Sequence, residues 1–236
     1  MKVTSLWIVI PLLTLSLSCG KAGKVAGRKY VKITAEQVSF IMENQDIDCD
    51  TINGNACPDG VSRLLVLNRE DAYKSYFCSG FMVEKNILIT NHHCVSNATE
   101  CSNTSIAVYD GFTYHQTKCK RVIKAIEDYP NPNDPRRQTD FAVLEVEDDF
   151  SGNTFNLAAN RPSINQNITS WVVDHTGLDN EADPNMLESR ITELRCHVKD
   201  QDTSASLVLE DCPVIEGNSG SPAVNTSGEV VGVIWG

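Results

Sequence analysis

A chain of 236 residues, 41% apolar and 22% charged, has ordinary globular composition and is long enough for one large β unit or two small domains. Its formal net charge of −11 favours solubility and excludes a nucleic-acid binder, whose phosphate contacts need a basic face. That acidity selects no particular substrate.

The first element in chain order is a leader. Residues 1–18 carry one charge, Lys2, then an apolar run from Leu6 to Leu17 broken only by Pro11 and hydroxyl residues, and end at Ser18-Cys19-Gly20. Crossing a bilayer takes about twenty apolar residues, so the run reads as a signal peptide and not a span. Removing it takes away only Lys2 and leaves the mature chain one unit more negative than −11. Residues 19–60 follow as a tether and N-terminal segment, of which 29–60 is either a removable pro-segment or a permanent part of the fold. Within it, 20–28 is Gly/Lys-rich and reads as a tether. Thr34-Ala35-Glu36-Gln37 has capping-box form ahead of Val38, Ile41 and Met42 at helical spacing, which predicts one short helix.

Beyond Cys57 the pattern changes to short apolar runs separated by Asn, Asp, Gly and Pro. Leu64 to Leu67, Ile87 to Ile89, Ile106 to Val108, Phe141 to Leu144, Trp171 to Val173, Leu207 to Leu209 and Val230 to Ile234 are the clearest. Such runs predict a mostly β protein, barrel or sandwich, with no long helix. Residues 128–139, with three prolines, and 174–186, rich in Asp and Asn, read as loops, and 151–166 divides the runs into 61–155 and 156–236.

Nine cysteines less Cys19 leave eight, an even number suited to disulfides outside the reducing cytosol. Eight cysteines permit 105 connectivities. Closeness in sequence pairs Cys49 with Cys57, Cys101 with Cys119 and Cys196 with Cys212, while Cys78 and Cys94 are spaced to close a hairpin loop. Small residues ahead of a cysteine that ends an apolar run resemble the bacterial lipoprotein signal, which implies cleavage before Cys19 and a lipid on its sulfur. An ordinary secretory peptide is the alternative. Sequons at Asn97, Asn103, Asn167 and Asn225 would suggest glycans in a eukaryote and are chance if the lipid signal is real.

Three segments carry chemistry. In Ile89-Thr90-Asn91-His92-His93-Cys94, an imidazole with an ordinary pKa near 6.5 can take up and return a proton near neutrality. A metal site on His92, His93 and Cys94 is disfavoured, because adjacent strand residues point to opposite faces. In Thr139-Asp140-Phe141-Ala142-Val143-Leu144, a carboxylate at the head of an apolar strand can accept the imidazole's other N–H and hold its tautomer. In Glu216-Gly217-Asn218-Ser219-Gly220-Ser221-Pro222, the glycines permit the tight turn that lets the backbone N–H groups of Gly217 and Ser219 converge on an oxyanion.

These motifs resemble the chymotrypsin-like serine peptidases. Cys78-Ser79-Gly80 is similar to that family's Cys-Gly-Gly, and Thr90-Asn91-His92-His93-Cys94 to its Thr-Ala-Ala-His-Cys with the two cysteines joined. Asp140-Phe141-Ala142-Val143-Leu144 is similar to Asp-Ile-Ala-Leu-Leu, and Gly217 to Pro222 to the Gly-Asn-Ser-Gly-Ser-Pro of the bacterial glutamyl-endopeptidase branch. The resemblance covers roughly residues 61–236 and implies an all-β fold of two six-stranded antiparallel barrels, with His93, Asp140 and Ser219 as triad and Gly217 and Ser219 as oxyanion hole. It implies a monomeric, exported endopeptidase, either anchored to a bacterial envelope or secreted, that acts on polypeptides. No cofactor or metal is expected, and membrane contact only through the N-terminal lipid.

Departures from the family matter as well. Asn218 stands where the animal enzymes keep the Asp that pairs with a new N-terminal amine, so that switch is not expected here. Val233-Ile234-Trp235-Gly236 resembles the substrate-pairing strand, after which the family continues with a strand and a helix, so the second barrel reads as truncated. Trypsin-like enzymes carry Asp at the position of Pro213, and the glutamyl branch carries Thr and His at those of Val214 and Ile234. Apolar walls with Glu216 at the rim therefore predict cleavage after small or medium uncharged residues. A catalytically silent binding protein on a protease fold is the alternative from another class. An envelope adhesin rests on the lipid signal alone.

Overall fold

The computed structural model describes residues 16–19, 30–31, 48–50, 54, 56–68, 75–128, 139–176, 188–201 and 206–235. The helix expected after Thr34, the tether, most of both long loops and Gly236 lie outside them. The described chain is almost wholly β. Its strands are β1 (Ser16–Cys19), β2 (Tyr30–Val31), β3 (Asp48–Asp50), β4 (Val61–Val66), β5 (Ser75–Glu84), β6 (Ile87–Thr90), β7 (Thr104–Tyr109), β8 (Tyr114–Asp128), β9 (Thr139–Val146) and β10 (Asn156–Leu157). They continue as β11 (Asn167–Thr176), β12 (Glu188–Gln201), β13 (Ser206–Glu210), β14 (Pro222–Val224) and β15 (Glu229–Trp235), with a single short helix α1 (Ala98–Ser102).

Strands β5-β4-β7-β8-β9-β6 pair in that order, and β6 pairs back with β5, which closes a six-stranded barrel with β2 added outside β5. The long β8 shifts register between Cys119 and Arg121 and again between Val122 and Lys124. Bulges of this kind bend a strand and increase its twist, which barrel closure requires. The second sheet runs β13-β12-β11-β14-β15 as a half-barrel, with β10 on β15. Strand β1 lies parallel to both β13 and β15, although it falls within the leader and its cysteine. Strand β3 pairs in parallel with β12, so part of the 19–60 segment joins this sheet.

Successive strand residues point to opposite faces, and these runs are apolar throughout because each face meets a core. On β4 and β5, Leu64, Val66, Tyr76, Cys78 and Met82 fill the first barrel, while Val61 and Phe81 face a different cluster. Ile168, Val198, Leu207, Leu209, Ala223 and Val231 fill the second. The third cluster lies between the sheets and draws Val61, Phe81 and Tyr109 from one and Val173, Ile191, Val224 and Val233 from the other. Each fully buried aliphatic or aromatic side chain of this kind contributes about 1.5–3 kcal/mol, which locks the sheets face to face. The candidate site forms along that seam.

Candidate active site

His93 sits in the turn after β6, and two local features hold the turn. The Asn91 carbonyl accepts from Cys94 N–H at 3.2 Å and Val95 N–H at 3.3 Å. Fully buried Asn91 also donates its Nδ2 to the Asp140 carbonyl at 2.6 Å. Cys94 is bonded to Cys78 of β5, which ties the turn to the barrel wall. The other bridges join Cys49 to Cys57, Cys101 to Cys119 and Cys196 to Cys212. Among the described residues, Cys78, His93 and Cys94 place possible metal-ligand atoms within 4.8 Å of one another, but the disulfide takes both thiolates away.

A bridge closing a loop of about fifteen residues removes chain entropy worth about 3 kcal/mol from the unfolded state. Replacing Cys78 and Cys94 together by Ala is therefore expected to lower stability by about that much and turnover with it. Denaturant unfolding and peptide hydrolysis by the double variant check the two effects.

Asp140 is the second residue of β9 and is completely buried. Its Oδ2 lies 2.5 Å from His93 Nδ1, and its Oδ1 accepts the His93 backbone N–H at 3.0 Å. One carboxylate thus fixes both the ring and the main chain of the histidine. The neighbouring His92 has a different partner, Glu127 of β8, with Nδ1 3.7 Å from Oε2.

Ser219, buried at 3% exposure, lies on a loop between two glycines with positive φ, Gly217 at 96° and Gly220 at 97°. The loop is bound from both sheets. From the first, Ser79 of β5 donates its N–H to the Ser219 carbonyl at 2.7 Å and its Oγ to the Gly217 carbonyl at 3.0 Å. In the second, Gly220 N–H donates to the Ile234 carbonyl at 3.0 Å and Ile234 N–H to the Ser221 carbonyl at 2.8 Å. Buried Asn218 accepts the Ile215 N–H at 2.9 Å through Oδ1 and donates through Nδ2 to the Val173 carbonyl at 3.2 Å and to Asp174 Oδ1 at 2.9 Å. The position that animal enzymes give to a charged switch is held here by an uncharged side chain, hydrogen-bonded to a carbonyl and a carboxylate of β11.

The other candidate residues fall around this loop. Pro213 and Glu216 are exposed and Val214 is half-buried against the second core, whereas Ile234 belongs to that core and Trp235 is buried on β15. Gly236 lies outside the described residues. Ser79, Thr90, Asn91 and Asp174 support the loop and the histidine turn, and sequence reading assigned them no role. Ser79 and Asn91 stand at positions where the resembled family has Gly and Ala, which was the available signal. Arg63, the register partner of Ser79 on β4, is also buried, and burial pulls its guanidinium down to about 10, still protonated at neutral pH.

Residues 78–233 of the chain match the family profile described as a trypsin-like peptidase domain. The Synechocystis protein HhoA, named for an inferred serine protease activity, is 25% identical over 159 residues, covering 66% of this chain. The match spans only 35%, about a third, of that relative's own length. Among solved structures, an inactivated protease paralogue of the scabies mite superposes with TM-score 0.53 at 20% identity, over 76% of this chain and 84% of that one. The structure of GrC gives 0.52 at 16% identity, over 74% and 81%. At such identities the likeness speaks for the fold alone.

Proposed function

This chain belongs to the trypsin-like peptidase domain family, and from that premise we propose that it is an exported serine endopeptidase cleaving peptide bonds through His93, Asp140 and Ser219. The observation that carries the reading is the double grip of buried Asp140 on the ring and backbone of His93, beside a serine on a loop with glycines at positive φ. Because Asp140 takes Nδ1, proton exchange falls to Nε2, which removes the Ser219 proton as the hydroxyl attacks the substrate carbonyl. The tetrahedral oxyanion is received by the N–H groups of Gly217 and Ser219. Collapse expels the amine, protonated by His93, and leaves an acyl-enzyme that water hydrolyses by the same steps in reverse.

The hydrogen bonds of Asn218 to Ile215, Val173 and Asp174 support a loop that is formed without a new N-terminal amine. The Gly217 to Pro222 motif favours the glutamyl-endopeptidase branch by descent, while Pro213 and Val214 favour uncharged substrates. Export rests on the leader and is compatible with four disulfides. No helix among the described residues is long and apolar enough to cross a membrane. Anchoring through a lipid on Cys19 belongs to the same proposal.

The test is to treat the purified domain with a fluorophosphonate, locate the adduct by peptide mapping, and profile a peptide library. Labelling at Ser219 and cleavage after Ala, Val or Leu are expected. Absence of labelling in folded protein would favour the silent binding protein, and preference for Arg, Lys, Asp or Glu would overturn the pocket assignment.

A further inference from the structure

We propose that Ser79 is a positioning residue for the oxyanion loop, a hydroxyl bridge across the seam that holds the Gly217–Asn218 peptide in its working orientation. The proposal rests on the serine peptidase reading. Ser79 lies on the first barrel, 138 residues from Gly217, and is completely buried. Its Oγ donates to the Gly217 carbonyl at 3.0 Å, a distance of full strength, and accepts the Val173 N–H at 3.4 Å, a weaker contact. Its N–H donates to the Ser219 carbonyl at 2.7 Å, and its carbonyl accepts Thr90 Oγ1 at 2.7 Å, three residues before His93. One residue is thus bonded to the nucleophile loop, to β11 and to the strand that carries the histidine turn.

The hydroxyl has a separable task. A peptide unit is planar, so fixing its carbonyl fixes its N–H. Ser79 Oγ grips the carbonyl of the unit from Gly217 to Asn218, whose N–H is that of Asn218 and donates to the Ile215 carbonyl at 3.1 Å, and Ser221 N–H on the Asn218 carbonyl at 3.1 Å fixes the next, whose N–H belongs to Ser219. The Gly217 N–H lies on the preceding unit and is joined to this one through Gly217 itself, which at φ 96° has a glycine's conformational freedom, so a partner on its carbonyl limits how that N–H can swing. Glycine at position 79, as in the motif this strand resembles, keeps the main-chain bonds and loses that partner. The hydroxyl's hydrogen bonds go to Gly217 and Val173, not to His93 or Asp140.

The experiment compares wild type with Ser79→Ala, Ser79→Gly and Ser79→Thr, using a fluorogenic peptide chosen by library profiling and a trifluoromethyl ketone of the same sequence. Concentrations are normalised by fluorophosphonate titration. For Ser79→Ala, kcat is expected to fall about tenfold and affinity for the ketone, whose adduct places an oxyanion in the hole, to fall in parallel. KM should stay within about twofold, and the pH limb set by His93 should not move. Ser79→Thr should recover most of both losses. If Ser79→Ala does not fold, Ser79→Gly carries the same comparison. Unchanged kcat and ketone affinity in an active enzyme overturn the proposal, as does a loss confined to KM or a shifted pH limb. A wild-type domain that is neither labelled nor active removes the peptidase reading and the proposal together, an outcome distinct from an active wild type with an unaltered variant.

Discussion

Replacing Ser219 by Ala is expected to give a folded protein whose peptide turnover is lower by about 10⁴- to 10⁶-fold, and His93→Ala should do the same. In the proposed mechanism the two residues act as a unit, since the hydroxyl attacks only as its proton leaves for the imidazole, and removing either member removes the step. Their effects on stability should differ. Ser219→Ala deletes one oxygen from a loop whose main chain is bonded elsewhere. His93→Ala leaves the fully buried Asp140 carboxylate without its 2.5 Å imidazole partner, a desolvation cost of about 1–3 kcal/mol or more unless water enters. His92→Ala is the control, because its contact is with Glu127 at 3.7 Å and not with Asp140, and most activity should survive. Hydrolysis of the profiled peptide and thermal unfolding measure the two quantities. A requirement for His92 with indifference to His93 would overturn the assignment.

The catalytic candidates were legible because each imposes a local signature. A histidine turn needs its anchoring cysteine, a buried carboxylate sits at the head of an apolar strand, and a nucleophile turn needs glycines. The strands were legible as short apolar runs bounded by Asn, Asp, Gly and Pro, and α1 could have been, since Asn97 Oδ1 accepts from both Thr99 and Glu100 N–H in an ordinary N-cap. What could not be read is whatever depends on distant chain segments meeting. The bond from Ser79 to Gly217 spans 138 residues and that from Asn218 to Asp174 spans 44, and no periodicity connects them. The parallel seat of Asp48 to Asp50 on β12 belongs to the same class, being a pairing between remote segments. A polar residue such as Arg63 in an apolar strand reads as exposed until a second sheet covers that face, and here the third core does so.

The contact between the two sheets also predicts an effect as severe as loss of a catalytic group, at a position with no chemistry. Gly220→Ala is expected to lower kcat/KM by about a hundredfold or more and to destabilise the protein. At φ 97° an L side chain is strained by roughly 1–2 kcal/mol before any contact is considered. The added Cβ would also run into the Ser79 carbonyl oxygen and Thr90 Oγ1. Neither can retreat, because Thr90 donates to that same carbonyl at 2.7 Å, both residues are completely buried, and Ser79 is in register with Arg63 on β4. The loop must yield instead, and Ser219 is the adjacent residue. A displacement on the order of 1 Å at the attacking atom is enough for a hundredfold loss. Gly228→Ala separates this from backbone strain, since Gly228 also has positive φ, 80°, but nothing lies within 4 Å of its Cβ. That variant should lose stability by the strain alone and keep activity within about twofold. Urea unfolding and kcat/KM on active-site-titrated protein decide between them. Equal losses in both variants would mean that β5 does not press on the nucleophile loop, and full activity in Gly220→Ala would remove the seam from the catalytic geometry altogether.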